Sequence, residues 1–334
     1  MRWKNRPAGS NWGDFGPDDQ IGRMNLITPE RRLAGVREVK EGRAFVLSLP
    51  LDHGGHSNAM RKPPRLSALD LDGHPTFNHV VEAGGRHACD VMCDDAVMLH
   101  LQYSTQWDSL AHWGQKFDAD GDGVAEMVYY NGYRAHEHLV GPKDGAGPCA
   151  KKLGIESLAE SGVQGRGVMV NLKAMYGAGR SWVGYDEMMR AIDAQKVDVQ
   201  AGDFLLLNTG YGEAILDMGT TIDMHRLEAA GAVIRGSDEK LLRWIDDSGI
   251  VAICSDNLAV EGFDFNAMPP EGQSLLPLHE LCLFKLGIFL GELWQTHELA
   301  DWLEAHQRSA FLLTAPPLRL PGAVGSPATP IATV

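Results

Sequence analysis

The chain has 334 residues, with 30 Lys and Arg against 44 Asp and Glu, a formal net charge of −14, and is 44% hydrophobic and 22% charged. This is a globular composition, long enough for one large core or two smaller ones, and it excludes intrinsic disorder. The acid excess argues against nucleic acid as a partner, because phosphate binding needs basic surface, and no run of about 18 apolar residues offers a membrane span.

The first residues, including Arg2, Lys4 and Arg6, are basic but have no apolar stretch behind them, so they do not read as a secretory leader. Trp12-Gly13-Asp14-Phe15-Gly16-Pro17-Asp18-Asp19 belongs to a turn-rich aromatic arm of about 27 residues, suited to packing over a domain or a neighbouring subunit. Thr28-Pro29-Glu30 then opens a helix to about Lys40, with Thr as N-cap and Pro at the first helical position. Residues 44–51 read as a strand, and residues 52–87, rich in His, Gly, Pro and Asn, as a long loop. Apolar runs at 167–172, 204–208, 250–254 and 311–314 read as buried strands. Helical patterns near 151–161, 185–195, 238–248 and 293–307 alternate with them, and the Pro/Gly-rich tail 315–334 reads as wrapping a surface. The alternation predicts a single α/β domain over residues 1–334. Strand order is not legible from it.

Five cysteines (Cys89, Cys93, Cys149, Cys254 and Cys282) are odd in number and widely spaced, which fits reduced thiols in a cytoplasm. Cys89 and Cys93 read as buried small residues, since no second Cys/His pair at zinc spacing accompanies them. G-x-S-x-G, G-x-G-x-x-G, the phosphate-binding P-loop and H-E-x-x-H are all absent. Asp118-Ala119-Asp120-Gly121-Asp122-Gly123 looks like half a calcium loop, but position 12 is Tyr129 instead of Glu. It reads as an acidic turn, with a Ca²⁺ site as the alternative.

The densest constellation runs from Gln102 to His112. If this segment is extended, Gln102, Ser104, Gln106 and Asp108 face one way, as a solvated edge strand or as an inward polar row among Leu101, Trp107 and Leu110. A carboxylate there could hold a cation, and His112 could move protons near neutral pH. His279 and Glu292 bracket an apolar run, so a buried turn-and-strand between them would bring both into one cleft. Asp256, just past the 250–254 strand, stands either at a ligand-binding strand end or as a helix cap.

These residues resemble the cyclase family that includes bacterial kynurenine formamidase, isatin hydrolase and trans-dienelactone hydrolase. The family signature H-x-G-T-H-x-D-x-P-x-H becomes Q-x-S-T-Q-x-D-x-L-x-H at residues 102–112, with Gln102 and Gln106 in place of both histidines and Leu110 in place of the proline. Trp12-Gly13 with Gly16-Pro17-Asp18-Asp19, Tyr130-Asn131-Gly132-Tyr133, the segment 162–168, Gly202-Asp203, Ser255-Asp256-Asn257 with Glu261, and the tail from Ala315 to Pro327 match in order. The resemblance thus covers nearly the whole chain, and the glutamines fit a branch with Ser/Thr-Gln-Trp-Asp at this place.

The resemblance implies a mixed central β-structure with surrounding helices and a divalent metal site. Asp108 is then a ligand, His112 the acid/base, and His279 and Glu292 complete the shell with Gln106 and Gln102. Amide and carboxylate oxygens with one imidazole suit Mn²⁺ or Zn²⁺ without excluding Mg²⁺ or Ca²⁺, and neutral amides favour one metal over two. The expected reaction is hydrolysis of a small cyclic amide or lactone by metal-activated water. Trp107, Trp12 and Tyr130 are expected to wall the substrate, with Arg86, Arg134 and Arg180 available for an anionic group. A homodimer or homotetramer is implied. The alternative is a non-catalytic binding protein that kept the fold around a degenerate site.

Overall fold

The apolar runs come together as the centre of one nine-stranded sheet. A computed structural model of the protein describes residues 2–54, 61–263 and 268–334. In chain order the strands of this sheet are β1 (Ala44–Val46), β2 (Gln106–Asp108), β3 (Gln164–Asn171), β4 (Phe204–Asn208), β5 (Ala252–Ser255), β6 (Phe289–Glu292), β7 (Ala310–Thr314), β8 (Gly325–Pro327) and β9 (Ile331–Thr333). Their spatial order is β1-β9-β7-β3-β4-β5-β6-β2-β8. The contacts β3/β4, β4/β5 and β5/β6 are parallel, and the flanking contacts on both sides are antiparallel. The parallel strands are buried along their length, as expected where both faces are covered.

The main helices are α1 (Pro29–Arg37), α2 (Ile155–Glu160), α3 (Tyr185–Gln195), α4 (Tyr211–Met218), α5 (Glu239–Ser248) and α6 (His297–Ala305). Thr28 caps α1 by accepting the Arg31 N–H at 3.3 Å, with Pro29 at the first position. Gly35 lets α1 lie directly on β3, because a Cβ there would stand 2.6 Å from the Gly165 carbonyl carbon. Arg31 and Arg166 clamp the fully buried Asp203 at 2.5 and 2.6 Å, tying α1 to the sheet. Among the described residues no helix is long and apolar enough to cross a membrane.

Three regions depart from the sequence expectations. The tail does not simply wrap a surface: β8 and β9 close opposite sides of the sheet, β8 on β2 and β9 between β1 and β7. The aromatic arm folds onto its own chain, where Trp3 and Trp12 are buried and stack edge-to-face with each other. Within the expected loop 52–87, residues 55–60 lie outside the described residues. The remainder holds short antiparallel ladders: 65–68 with 95–98, 70–71 with 74–75, and 79–83 with 86–92. Cys89 and Cys93, read from the sequence as buried, lie exposed in this region.

Candidate metal centre

The site forms where the parallel part of the sheet meets its antiparallel edge. β6 and β2 run antiparallel, with Glu292 opposite Gln106 and Leu290 opposite Asp108. Directly opposed residues share a face, and alternation puts Gln106 and Asp108 on that face and Trp107 on the other. His279 arrives on a helical turn (Pro277–His279) that continues as a π-wound segment, Glu280–Leu286, before β6. The apolar run between His279 and Glu292 is therefore helical in its first half, where a turn and strand were expected. Gly287 makes the reversal at φ +60° with Gly22 so close that a Cβ would stand 2.5 Å from the Gly22 Cα.

His279 Nε2 stands 3.5 Å from Glu292 Oε1. Gln106 Nε2 donates to Glu292 Oε2 at 2.9 Å and to Asp108 Oδ1 at 3.3 Å. One ligand atom each from Asp108, His279 and Glu292 can be chosen so that all lie within 4.8 Å of one another, and all three side chains are buried. Asp108 Oδ2 and Gln106 Oε1 are buried without a hydrogen-bond partner. His112, with 20% of its side chain accessible, holds Nε2 3.8 Å from Asp108 Oδ2.

Glu261 supports the cluster from behind, a role not singled out from sequence. Its Oε1 accepts the His279 backbone N–H at 2.8 Å and pairs with ring Nδ1 at 2.8 Å, while Oε2 accepts the Leu278 N–H at 3.0 Å. That contact fixes which ring nitrogen faces Glu292, the arrangement typical of metal-binding histidines. Burial opposes a charge on His279, but hydrogen bonds and charges of Glu261 and Glu292 outweigh it and push its pKa up to about 10. Glu292 is raised to about 7 by burial and by the Asp108 charge. His112 is held below its ordinary value by burial, against the pull of Asp108. Arg61, also unnoticed in the sequence, adds positive charge that acts on both His112 and Glu292.

The other sequence candidates fall elsewhere. Residues 102–105 are not extended, so the alternating polar row is broken: Ser104 Oγ donates to the His53 carbonyl at 2.6 Å. Gln102 packs over Gly325, the residue paired with Asp108 in β8; a Cβ there would lie 2.4 Å from Gln102 Nε2. The three residues expected to wall a substrate are core residues instead. Trp107 Nε1 donates to the Ala315 carbonyl and Trp12 Nε1 to the Phe284 carbonyl, each at 2.7 Å, and the Tyr130 hydroxyl donates to Asp19 at 3.1 Å. All three side chains are enclosed, since large aromatics are what this core has available to fill its volume. The aromatic beside the cluster is Trp113, whose ring is 5.4 Å from that of His279 and whose Nε1 is buried without a partner.

Asp256 accepts from Thr209 N and Oγ1, Gly210 N and Gly212 N at 2.7–3.3 Å, and so caps α4. Arg134 pairs with Glu126 and Arg180 donates to the Glu228 carbonyl, while Arg86 lies in the exposed 79–92 ladder. In the acidic turn Asp118 accepts from the backbone of Gly121, Asp122 and Gly123, so its carboxylate is satisfied by its own loop.

A hard or borderline divalent cation fits the donors of the cluster. Three carboxylates face one imidazole in a buried space, two oxygens there lack partners, and oxygen with one imidazole nitrogen is the donor set such ions take. Residues 45–262 match the family described as Putative cyclase, and the chain belongs to that family. A solved structure described as a novel cyclase is 30% identical, covers 97% of each chain and superposes with a TM-score of 0.77. Isatin hydrolase A from Labrenzia aggregata, bound to benzyl benzoate, shares the fold at 13% identity and TM-score 0.55, over 87% of this chain and 93% of its own. An isatin hydrolase bound to the product analogue thioisatinate does so at 14% and 0.56, over 92% and 99%. No curated protein matches the chain by sequence.

Proposed function

We propose that the protein is a metal-dependent hydrolase that opens a small cyclic amide or lactone, or cleaves a related acyl C–N or C–O bond. Asp108, His279 and Glu292 would hold one divalent metal, Mn²⁺ or Zn²⁺. The observation that carries this reading is the buried cluster itself: unpartnered Asp108 Oδ2 and Gln106 Oε1 beside two carboxylates and an imidazole. Three buried carboxylates, Asp108, Glu261 and Glu292, outnumber the one imidazole among them, and a buried carboxylate left without a balancing positive charge costs several kcal/mol. The isatin hydrolases that share the fold, one with a product analogue bound, support a compact ring substrate.

When bound, the metal supplies a Lewis acid that polarises a carbonyl and makes water acidic. His112 is the proton carrier. Burial keeps its imidazole neutral near pH 7, so Nε2 can take a proton from attacking water and return it to the leaving group. Asp108 Oδ2, 3.8 Å from His112 Nε2, is beyond hydrogen-bond reach and acts on that ring through its charge. Gln106 bridges Asp108 and Glu292 through its amide nitrogen, and turning the amide over would present Oε1 to a cation, as a ligand requires. No nucleophile motif is present in the sequence, which favours direct attack by water over a covalent acyl-enzyme.

Metal analysis of protein purified without chelator, followed by assay of lactones and cyclic amides with added Mn²⁺ or Zn²⁺, tests this reading. His112→Ala is expected to keep the metal and lose about 10²–10⁴-fold in turnover. Less than about a tenth of an equivalent of metal, with no activity restored by either ion, would leave a non-catalytic binding protein as the answer. Loss of metal together with His112 would make His112 a ligand.

A further inference from the structure

Three tryptophans of the core pair their indole N–H with backbone. Trp107 and Trp12 donate to carbonyls at 2.7 Å, and Trp294 donates to the Gln106 carbonyl at 3.1 Å. Trp113 differs. The residue is half-buried, yet its Nε1 is shut off from solvent and has no hydrogen-bond partner, the one indole nitrogen in that state among the described residues. An indole N–H donates and cannot accept, and a buried donor left unpaired carries its full desolvation penalty. The ring lies beside both histidines of the site, its centroid 5.4 Å from that of His279 and 6.5 Å from that of His112. The backbone holds it there. On one side the His112 N–H bonds the Ser109 carbonyl at 3.0 Å. On the other Gly114 fits so closely that a Cβ would stand 2.5 Å from the Val128 carbonyl oxygen.

We propose that Trp113 contacts the substrate, its Nε1–H donating to the acyl oxygen of an ester or amide and then to the carboxylate of the product. The identity of that ligand rests on the hydrolase reading above; the open donor does not. Other donors of the cluster are already engaged: Gln106 Nε2 with Glu292 and Asp108, and His279 Nδ1 with Glu261. When water adds to an acyl carbon, the acyl oxygen gains negative charge, and the carboxylates of Asp108, Glu261 and Glu292 oppose it. A neutral donor held in place beforehand favours that charge without having to reorganise. Because the indole cannot accept, it selects for a ligand that presents an acceptor, and one with donors alone leaves the N–H unpaired. The nitrogen carries a proton and offers no ligand atom, so the role of Trp113 is separable from the metal shell.

The test follows the indole proton signal of Trp113 in a proton–nitrogen correlation spectrum of the isotope-labelled, Zn²⁺-treated full chain, assigned by its loss in Trp113→Phe. Benzoate, a ring carboxylate, is the probe. Benzylamine, of similar shape and protonated at neutral pH, has no acceptor and is the control. Benzoate is expected to move the signal downfield as the N–H gains an oxygen, and benzylamine to leave it in place. Trp113→Phe is expected to keep the metal content and to lose about 10²–10³-fold in kcat, with KM little changed. Trp113→Tyr, closer in volume, supplies the assignment if the phenylalanine variant does not fold. A signal that moves with benzoate in a protein that opens no lactone or amide would refute the hydrolase reading and keep the donor. A signal unmoved by benzoate, one moved equally by benzylamine, or a folded Trp113→Phe with wild-type turnover would each overturn the inference.

Discussion

Glu261→Gln tests whether the cluster is organised around His279. The Glu261 carboxylate accepts three hydrogen bonds inside the protein, two from His279 and one from the Leu278 N–H. Glutamine keeps one accepting oxygen. If that oxygen serves His279, the new amide nitrogen confronts the Leu278 N–H, and a buried donor loses its partner at a cost of about 1–3 kcal/mol. If the amide turns over, the His279 N–H groups lose theirs at similar cost. Removing the negative charge also lowers the pKa of His279, which Glu261 and Glu292 together push up to about 10 against burial. The ring becomes a poorer base at Nε2, and its orientation toward Glu292 loosens. Loss of such a support usually weakens metal binding 10–100-fold, about 1.4–2.7 kcal/mol. The assay is titration of Mn²⁺ and Zn²⁺ against a competing chelator, with thermal unfolding of the metal-free protein alongside. A folded variant with unchanged metal affinity would refute the reasoning, and Glu261 would then serve only to brace the Pro277–His279 turn.

The raised pKa of His279 sets a pH dependence in the same titration. Its folded value lies above its ordinary one, so the stabilisation from the charged ring is complete below about pH 6.5 and is lost as pH rises through about 10. A metal must expel that proton, so apparent affinity should strengthen by up to about tenfold per pH unit between 7 and 10; a flat profile would contradict the assignment of His279 as a ligand. Gln106→Leu removes the amide that bridges Glu292 and Asp108 and should weaken metal binding about tenfold, read in the same competition assay. Gln106→His restores an imidazole at the family's position and should shift the Zn²⁺/Mn²⁺ affinity ratio toward zinc. An unchanged ratio would place Gln106 outside the metal shell.

The parts of the fold that were legible in the sequence are those whose local chemistry decides their shape. α3 begins and ends where its pattern does, at 185–195, and Thr28-Pro29 opens α1 because cap and proline act within one turn. The long apolar runs became β3, β4, β5 and β7, since a strand buried on both faces needs no partner to be recognised. β8 and β9 are three residues each, in a segment full of Pro and Gly, and they are strands only because β2, β1 and β7 offer them edges. The 65–98 ladders were hidden for a related reason: much of the region lacks a buried face, so it shows no alternation.

The same distinction divides the site. Gln106 and Asp108 could be assigned together because two residues along a strand always share a face, whatever the rest of the fold does. Glu261 could not, because its role depends on a loop after β5 meeting the turn before β6. Asp256 misled because a carboxylate just past a parallel strand suits a ligand and a helix N-terminus equally well; Thr209-Gly210, at the start of α4, settle it as a cap. The aromatic residues misled because residue type says nothing about which side of the sheet is dry. What determines the site is one topological fact: β2 runs antiparallel beside the last parallel strand. The first residue of β2, Gln106, therefore meets the last residue of β6, Glu292, 186 positions away in the chain. Acids from both ends of the sequence are collected at the carboxyl end of the parallel strands, where α/β sheets hold their ligands.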